Sequence, residues 1–249
     1  MLGRKKLYSD CAKQLASNSK IKTIQRLIQE HSSLKNNLPI SWSSTIFVKC
    51  DPNKINCLKC LIVGPESTPY MNGMYEFDVF FSDEYPNKPP KVQLSTTGGG
   101  SVRFNPNLYN CGKVCLSLLG TWSGQGGESW IKDSSTFLQV LVSIQSLIMV
   151  DEPYFNEPGW ERQMNTTQGK RSSFTYNDNI RLQNMKWAIL DQIKNPTPGF
   201  EDAIKNHFKM KKEEIIQIAD IWIDETKKFK SSMISLKEKI IEAIDSIEI

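Results

Sequence analysis

The stretch NPNLYNCGKVCLSLLG, residues 105–120, sets Cys111 and Cys115 four positions apart among turn residues and a short apolar run. A thiol is a good nucleophile and a thiolate a good leaving group, the two properties that acyl transfer through a thioester requires. Within this stretch Lys113 is the one charged residue, and the two histidines of the chain, His31 and His207, stand far off in sequence. A cysteine hydrolase needs a histidine base held against its nucleophile and is poorly served by that distribution.

Two further patterns could carry chemistry. Cys57 and Cys60 form a CxxC, a spacing that suits zinc, but a structural zinc site needs four ligands and an extended strand would turn these two side chains to opposite faces. They are expected to be structural thiols, with no metal bound. GQGG at 124–127 lacks both a preceding strand and a following Gly-Lys-Ser/Thr, so no phosphate loop is expected.

The elements that must position these residues follow from periodicity. Between Ser9 and Glu30, Ile21, Ile24 and Ile28 recur at helical spacing, which predicts an amphipathic helix with that stripe turned inward. SSTIFVKC, CLKCLIVG, YEFDVFF and KVQLST, separated by Pro, Gly and Asn clusters, predict four strands in meander order, the last ending near Thr96. Alternation in YEFDVFF places Tyr75, Phe77, Val79 and Phe81 on one face and Glu76 and Asp78 on the other, as in a sheet with one solvated side. A second helix is expected from Thr136 to Val150, with Phe137, Val140, Leu141, Ile144, Leu147 and Ile148 as its apolar stripe and Ser134 or Ser135 as its cap. QMNTTQGKRSSFTYNDN reads as loop, and helical patterns follow near 178–194, 201–229 and 231–248. Met233, Leu236, Ile240, Ile244 and Ile247 extend over too few heptads for a coiled coil, so the last helix should pack back onto the domain.

A chain of 249 residues can bury a core without crosslinks, and six irregularly spaced cysteines without a secretory signal argue for reduced thiols. No run of apolar residues is long enough to span a membrane, and the charge of +4 is scattered rather than gathered into a nucleic-acid footprint. A cytoplasmic protein is expected, with the nucleus also open to it.

The order of elements, together with Gly64-Pro65, Thr68-Pro69-Tyr70, Gly73, Tyr75, Phe77-Asp78, Phe81, Tyr85-Pro86, Pro89-Pro90, Val92 and Thr96, resembles the ubiquitin-conjugating enzymes. The family's active-site stretch, His-Pro-Asn followed by Gly-x-Val/Ile-Cys-Leu, is matched by Asn105-Pro106-Asn107 and Gly112-Lys113-Val114-Cys115-Leu116. Within the family, the runs RFNPNLYN.GKVCLS, FLQVLVS.QSLI and EPYFNEPG resemble the conjugating domain of a giant apoptosis-inhibitor hybrid, a similarity reaching from about Leu34 to Trp222.

The resemblance implies an α+β conjugating fold, with a catalytic domain over 8–196 and a helical extension over 197–249. It implies that Cys115 carries ubiquitin as a thioester, that Cys111 is a bystander, and that an activating enzyme, which spends the ATP, and a ligase and protein substrate are the partners. No cofactor of its own is implied, nor nucleic acid or membrane. Asn107 would donate a hydrogen bond to the oxyanion formed as an amine attacks; read from residue type alone, it could equally hold an Asx-type turn. Ser117 and Glu157 align with positions that orient the acceptor lysine, against plainer readings as a turn residue and a solvated carboxylate. Asn105 stands where the family has histidine, which implies a local change in the turn. The insert GTWSGQGGES lengthens a loop near the family's ligase-binding surface, where Tyr85, Asn87 and the KPP turn also fall, and Trp122 and Trp130 flank it as ligase contacts or as anchors of the loop. The rival of a different class is a conjugating-like protein that binds ubiquitin or scaffolds a partner without being charged.

Overall fold

The computed structural model describes residues 21–122 and 129–248. These fall into two compact units: the residues up to Ile62 together with Tyr75–Ile148, and Val63–Met74 together with the residues from Met149 onward.

In the first unit, α1 (Ile21–Asn37) precedes strands β1 (Ile46–Asp51), β2 (Lys54–Val63), β3 (Met74–Phe80) and β4 (Lys91–Leu94). They form one sheet in the order β1-β2-β3-β4, with β1 antiparallel to β2 and β3 to β4, Val48 opposite Cys60 and Val79 opposite Val92. The expected meander is therefore present, and so is the central helix α2 (Phe137–Ser143), which continues into a wider π-type turn over Ile144–Ile148.

The inward face of α1 is not the expected one. Ile21, Ile24 and Ile28 are 75, 38 and 55% exposed, whereas Thr23, Leu27, Glu30 and Leu34 are buried. Polar residues can occupy that face because each finds partners there. Thr23 Oγ1 donates to the Tyr85 carbonyl at 2.9 Å, and Glu30 accepts from Tyr85 Oη at 2.6 Å, from the Phe137 backbone N–H at 3.0 Å and from Arg26 Nε at 2.9 Å. One carboxylate thus ties α1, the Tyr85 turn and the start of α2 together.

Nor is the Glu76/Asp78 face solvated along β3. Every residue of the strand is buried, and Lys59 Nζ lies 2.5 Å from Glu76 Oε1 and 2.7 Å from Asp78 Oδ1, with Ser95 Oγ donating to Asp78 Oδ2. The alternation holds along the strand, but its second face is covered by a charge cluster that a single strand cannot reveal.

The cap of α2 is Thr136 rather than Ser134 or Ser135. Its side chain accepts from Gln139 N and its N–H donates to Gln139 Oε1, a capping box, while Ser135 Oγ accepts from Ile131 N. Phe137, Val140, Leu141, Ile144 and Ile148 are buried as expected, but Leu147 is 62% exposed because the widened turn shifts it out of the stripe.

The second unit is helical: short 3-10 turns at Pro153–Asn156 and Trp160–Gln163, then α3 (Thr167–Gln183), a π-type turn Asn184–Leu190, α4 (Asp191–Lys194), α5 (Glu201–Met210), α6 (Lys212–Glu225) and α7 (Lys230–Asp245). Most of the segment expected as loop is α3, started by Thr166, whose Oγ1 accepts from Gly169 N at 3.0 Å. The pattern at 201–229 is two helices, parted at Lys211, which is buried and held to Glu214 at 2.6 Å. Met233, Ile240 and Ile244 are buried, and α7 packs against α6 and the 184–190 turn, as expected for a helix folded back.

The same unit grips the loop 63–74. Asn184 Nδ2 donates to the Met71 carbonyl and His207 Nε2 to that of Asn72, each at 3.0 Å. A Cβ on Gly73 would lie 1.9 Å from Asn184 Oδ1, so a side chain there would expel the clamp.

Candidate functional site

The site grows from a short hairpin. Leu108 pairs antiparallel with Val114, with Tyr109 N bonded to Lys113 O at 3.0 Å and Cys115 N to Asn107 O at 2.8 Å. Cys115 therefore faces Asn107, Lys113 faces Tyr109, and Cys111 occupies the turn between the two arms. The two cysteines part company: Cys111 is exposed in the turn, and Cys115 is 2% exposed at the foot of the hairpin. Gly112 makes the turn possible. Its φ is +89°, a Cβ would stand 2.6 Å from the Leu94 carbonyl, and its own carbonyl accepts from Leu94 N at 2.9 Å, which fastens the hairpin to β4.

Two asparagines hold the foot. Asn105 Oδ1 accepts from Asn107 N at 2.8 Å, an Asx turn, and Asn105 Nδ2 donates to the Ile148 carbonyl at 2.7 Å. The residue standing in place of the family's histidine thus shapes the turn with both ends of its amide. Asn107 does something different: its Nδ2 donates to the Cys115 carbonyl at 2.9 Å, so it grips the cysteine through backbone and side chain together. One N–H of that amide remains to donate, and its buried Oδ1 has no hydrogen-bond partner among the described residues.

Past the cysteine, Thr121 Oγ1 accepts from Leu116 N at 3.0 Å and donates to the Val114 carbonyl at 2.6 Å, stapling the strand on both sides of Cys115. Ser117 begins the 3-10 turn Ser117–Leu119; it is half-buried and its carbonyl accepts from Gly120 N. Cys115, Asn107 and Ser117 are thereby brought into one hairpin and turn. Glu157 belongs to the second unit, half-buried at the end of the Pro153–Asn156 turn, where its carbonyl accepts from Trp160 N at 3.1 Å.

The remaining candidates take structural places. Cys57 and Cys60 are buried on β2, and burial pushes the Cys60 thiol well above its usual range. His31 lies on α1 with Nε2 3.0 Å from the Ile55 carbonyl; His207 is buried on α5, and burial lowers its pKa. Trp130 Nε1 donates to the Pro86 carbonyl at 2.7 Å with its ring 5.7 Å from that of Tyr85. Trp122 is half-buried, and Ser123–Glu128, the centre of the insert with GQGG, lie outside the described residues. Tyr85 is 1% exposed and packs edge-on against Phe81, while Asn87 is exposed. Thr121, six residues past the cysteine, carries no recognisable signal in sequence until the chain turns back. Among the described residues no helix is long and apolar enough to cross a membrane.

A four-stranded meander, a hairpin with a cysteine braced by asparagine, and a capped central helix define a class. The ubiquitin-conjugating enzyme model matches residues 26–183, and the chain belongs to that family. The chain is 54% identical over 207 residues to the dual E2 ubiquitin-conjugating enzyme/E3 ubiquitin-protein ligase BIRC6 of Homo sapiens, which covers 83% of this chain and 4% of that protein, as the resemblance to a giant hybrid implied. It is 46% identical over 243 residues to the probable ubiquitin-conjugating enzyme E2 R521 of Acanthamoeba polyphaga mimivirus, covering 97% of this chain and 17% of the relative. It is 48% identical over 200 residues to the probable ubiquitin-conjugating enzyme protein 17 of Caenorhabditis elegans, covering 80% and 27%. The chain thus spans a small fraction of the length of these relatives. The general partners of that family are ubiquitin, an activating enzyme and a ligase.

Proposed function

We propose that this chain accepts ubiquitin from an activating enzyme as a thioester on Cys115 and passes it to a substrate amine, usually that of a lysine. In charging, the Cys115 thiolate attacks the carbonyl of the ubiquitin thioester held by the activating enzyme, and a C–S bond to Cys115 forms. The C–S bond to the activating enzyme breaks, and that enzyme's thiolate leaves and takes up the proton lost by Cys115. In transfer, the acceptor amine attacks the thioester carbonyl, a C–N bond forms, the C–S bond breaks, and the proton lost by the amine balances the departing thiolate. ATP is consumed by the activating enzyme, and the work is done in the cytoplasm or nucleus.

The observation that carries this reading is the grip of Asn107 on Cys115. An amide fixed to the cysteine carbonyl at 2.9 Å, with one N–H still to give, is preorganised to meet negative charge on the neighbouring thioester. The Asx turn is made by Asn105 and not by Asn107, and the Asn107 brace on the Cys115 carbonyl is proposed to aim the oxyanion donor. Ser117, two residues past the sulfur, and Glu157 are proposed to orient the acceptor lysine.

Charging with ATP, ubiquitin and an activating enzyme tests the reading, compared on a non-reducing gel for the wild type, Cys115→Ser and Cys111→Ser. A reductant-sensitive adduct should survive loss of Cys111 and vanish with Cys115. An adduct that depends on Cys111 would refute the assignment, and no adduct with any activating enzyme or modifier would leave a protein that binds without being charged.

A further inference from the structure

From Tyr85 to Gly127 the sequence contains no Asp or Glu, and its charges are Lys88, Lys91, Arg103 and Lys113. Lys88 pairs with Glu84 at 2.9 Å; Arg103 and Lys113 stand at the hairpin's Tyr109 and Lys91 on β4. The Arg103 guanidinium stands 4.3 Å from the centre of the Tyr109 ring and the Lys113 ammonium 5.6 Å from the same ring, so one tyrosine is flanked by two cations. Lys91 lies 5.9 Å from the Phe80 ring. Contact with an aromatic face steadies a cation without neutralising it. All three side chains are exposed, and Lys91 and Lys113 form no ion pair among the described residues.

Strand geometry places these charges beside the thioester position. Leu108 and Val114 point into the core, so their neighbours Tyr109, Lys113, Asn107 and Cys115 share the other face of the hairpin. Lys113 is two residues from Cys115, roughly 7 Å along an extended chain. Gln93 bridges to Lys113, and Lys91, two residues before Gln93, projects from the same side of β4. The nearest acid in the sheet, Asp78 opposite Gln93, is buried and already bound by Lys59 and Ser95.

We infer that Lys113 and Arg103, flanking Tyr109, together with Lys91 on β4, select acceptors whose target lysine is flanked by acidic residues. The inference rests on Cys115 as the thioester cysteine and adds the class of substrate that this cysteine serves. An acidic segment running past the lysine would lie along the positive face while its amine reaches the thioester, raising the local concentration of the right acceptor.

The test is single-turnover discharge of the charged full chain onto N-acetylated peptides carrying one lysine flanked by acidic, neutral or arginine residues. The wild type should discharge about fivefold faster onto the acidic than onto the neutral peptide, the scale of a few screened surface pairs, and the preference should collapse at high salt. Lys113→Glu, and more so Lys91→Glu with Lys113→Glu, should turn the preference toward the arginine peptide, while Lys113→Arg retains it. Equal rates from a well-charged wild type would overturn this inference alone. A preference unmoved by charge reversal would overturn the residue assignment. Retardation of a short single-stranded RNA without peptide preference would give the patch to nucleic acid, and failure to charge at all would overturn the conjugating reading with it.

Discussion

Two loops in this molecule are pinned by side-chain donors to backbone carbonyls, and they differ in where the donor comes from. At the hairpin, Asn107 reaches Cys115, eight residues away. At the loop 63–74, Asn184 and His207 reach Met71 and Asn72 from 113 and 135 residues away. The first arrangement folds locally and leaves an amide oxygen beside Cys115 without a hydrogen-bond partner among the described residues; the second exists only when distant helices have packed. A short-range brace suits a site that must meet a changing reactant, and a long-range clamp suits a loop that must stay put.

The largest effect should come from the short-range brace. Asn107→Ala should slow discharge of the thioester to free lysine by about 100-fold or more, the usual consequence of losing an oxyanion donor, with a smaller effect on charging. Single-turnover discharge and thioester yield measured side by side separate the two, and a loss seen only in thermal melting would reduce Asn107 to a structural brace. The long-range clamp should register in stability. Asn184→Ala strips a buried carbonyl of its donor and should cost about 1–3 kcal/mol in urea unfolding. A change below about 0.5 kcal/mol, the range of ordinary surface substitutions, would remove the contrast between the loops.

The smallest effect is a dependence on pH. Burial holds the His207 pKa below the ordinary histidine value, outweighing the bond to Asn72, with Lys211 adding to the depression and Glu214 opposing it. The unfolded chain therefore binds a proton that the folded chain refuses, so stability is fully present above about pH 6.5 and declines as pH falls below it. Unfolding midpoints from pH 8 to 5 should show that decline, and His207→Gln should flatten it. An unchanged slope in the variant would assign the acid sensitivity to other groups.

The contrast also explains what could be read in advance. Cys115 and Asn107 belong to a contiguous motif that the family resemblance singles out, and the strands announced themselves by β-branched and aromatic composition and, in β3, by alternation, so the sheet was legible, whereas the hairpin that pairs Asn107 with Cys115 was not. The buried face of α1 was not, because Thr23 and Glu30 look like solvent residues until Tyr85 and Phe137 arrive from elsewhere in the chain. Helix α3 was missed because its stretch is polar and its start depends on the cap at Thr166, a weak signal amid serines and threonines. Glu76 and Asp78 alternated as expected, yet their burial depends on Lys59 from the neighbouring strand.

That lysine has a bearing on self-modification. An enzyme that carries an activated acyl group lives among its own amines, and an amine can be acylated only when neutral and mobile. Burial works against the charge of Lys59, but Glu76 and Asp78 outweigh it and keep the ammonium protonated above its ordinary range, held in place at 2.5 and 2.7 Å. The cluster that closes the face of the sheet thereby withdraws one lysine from the enzyme's own chemistry.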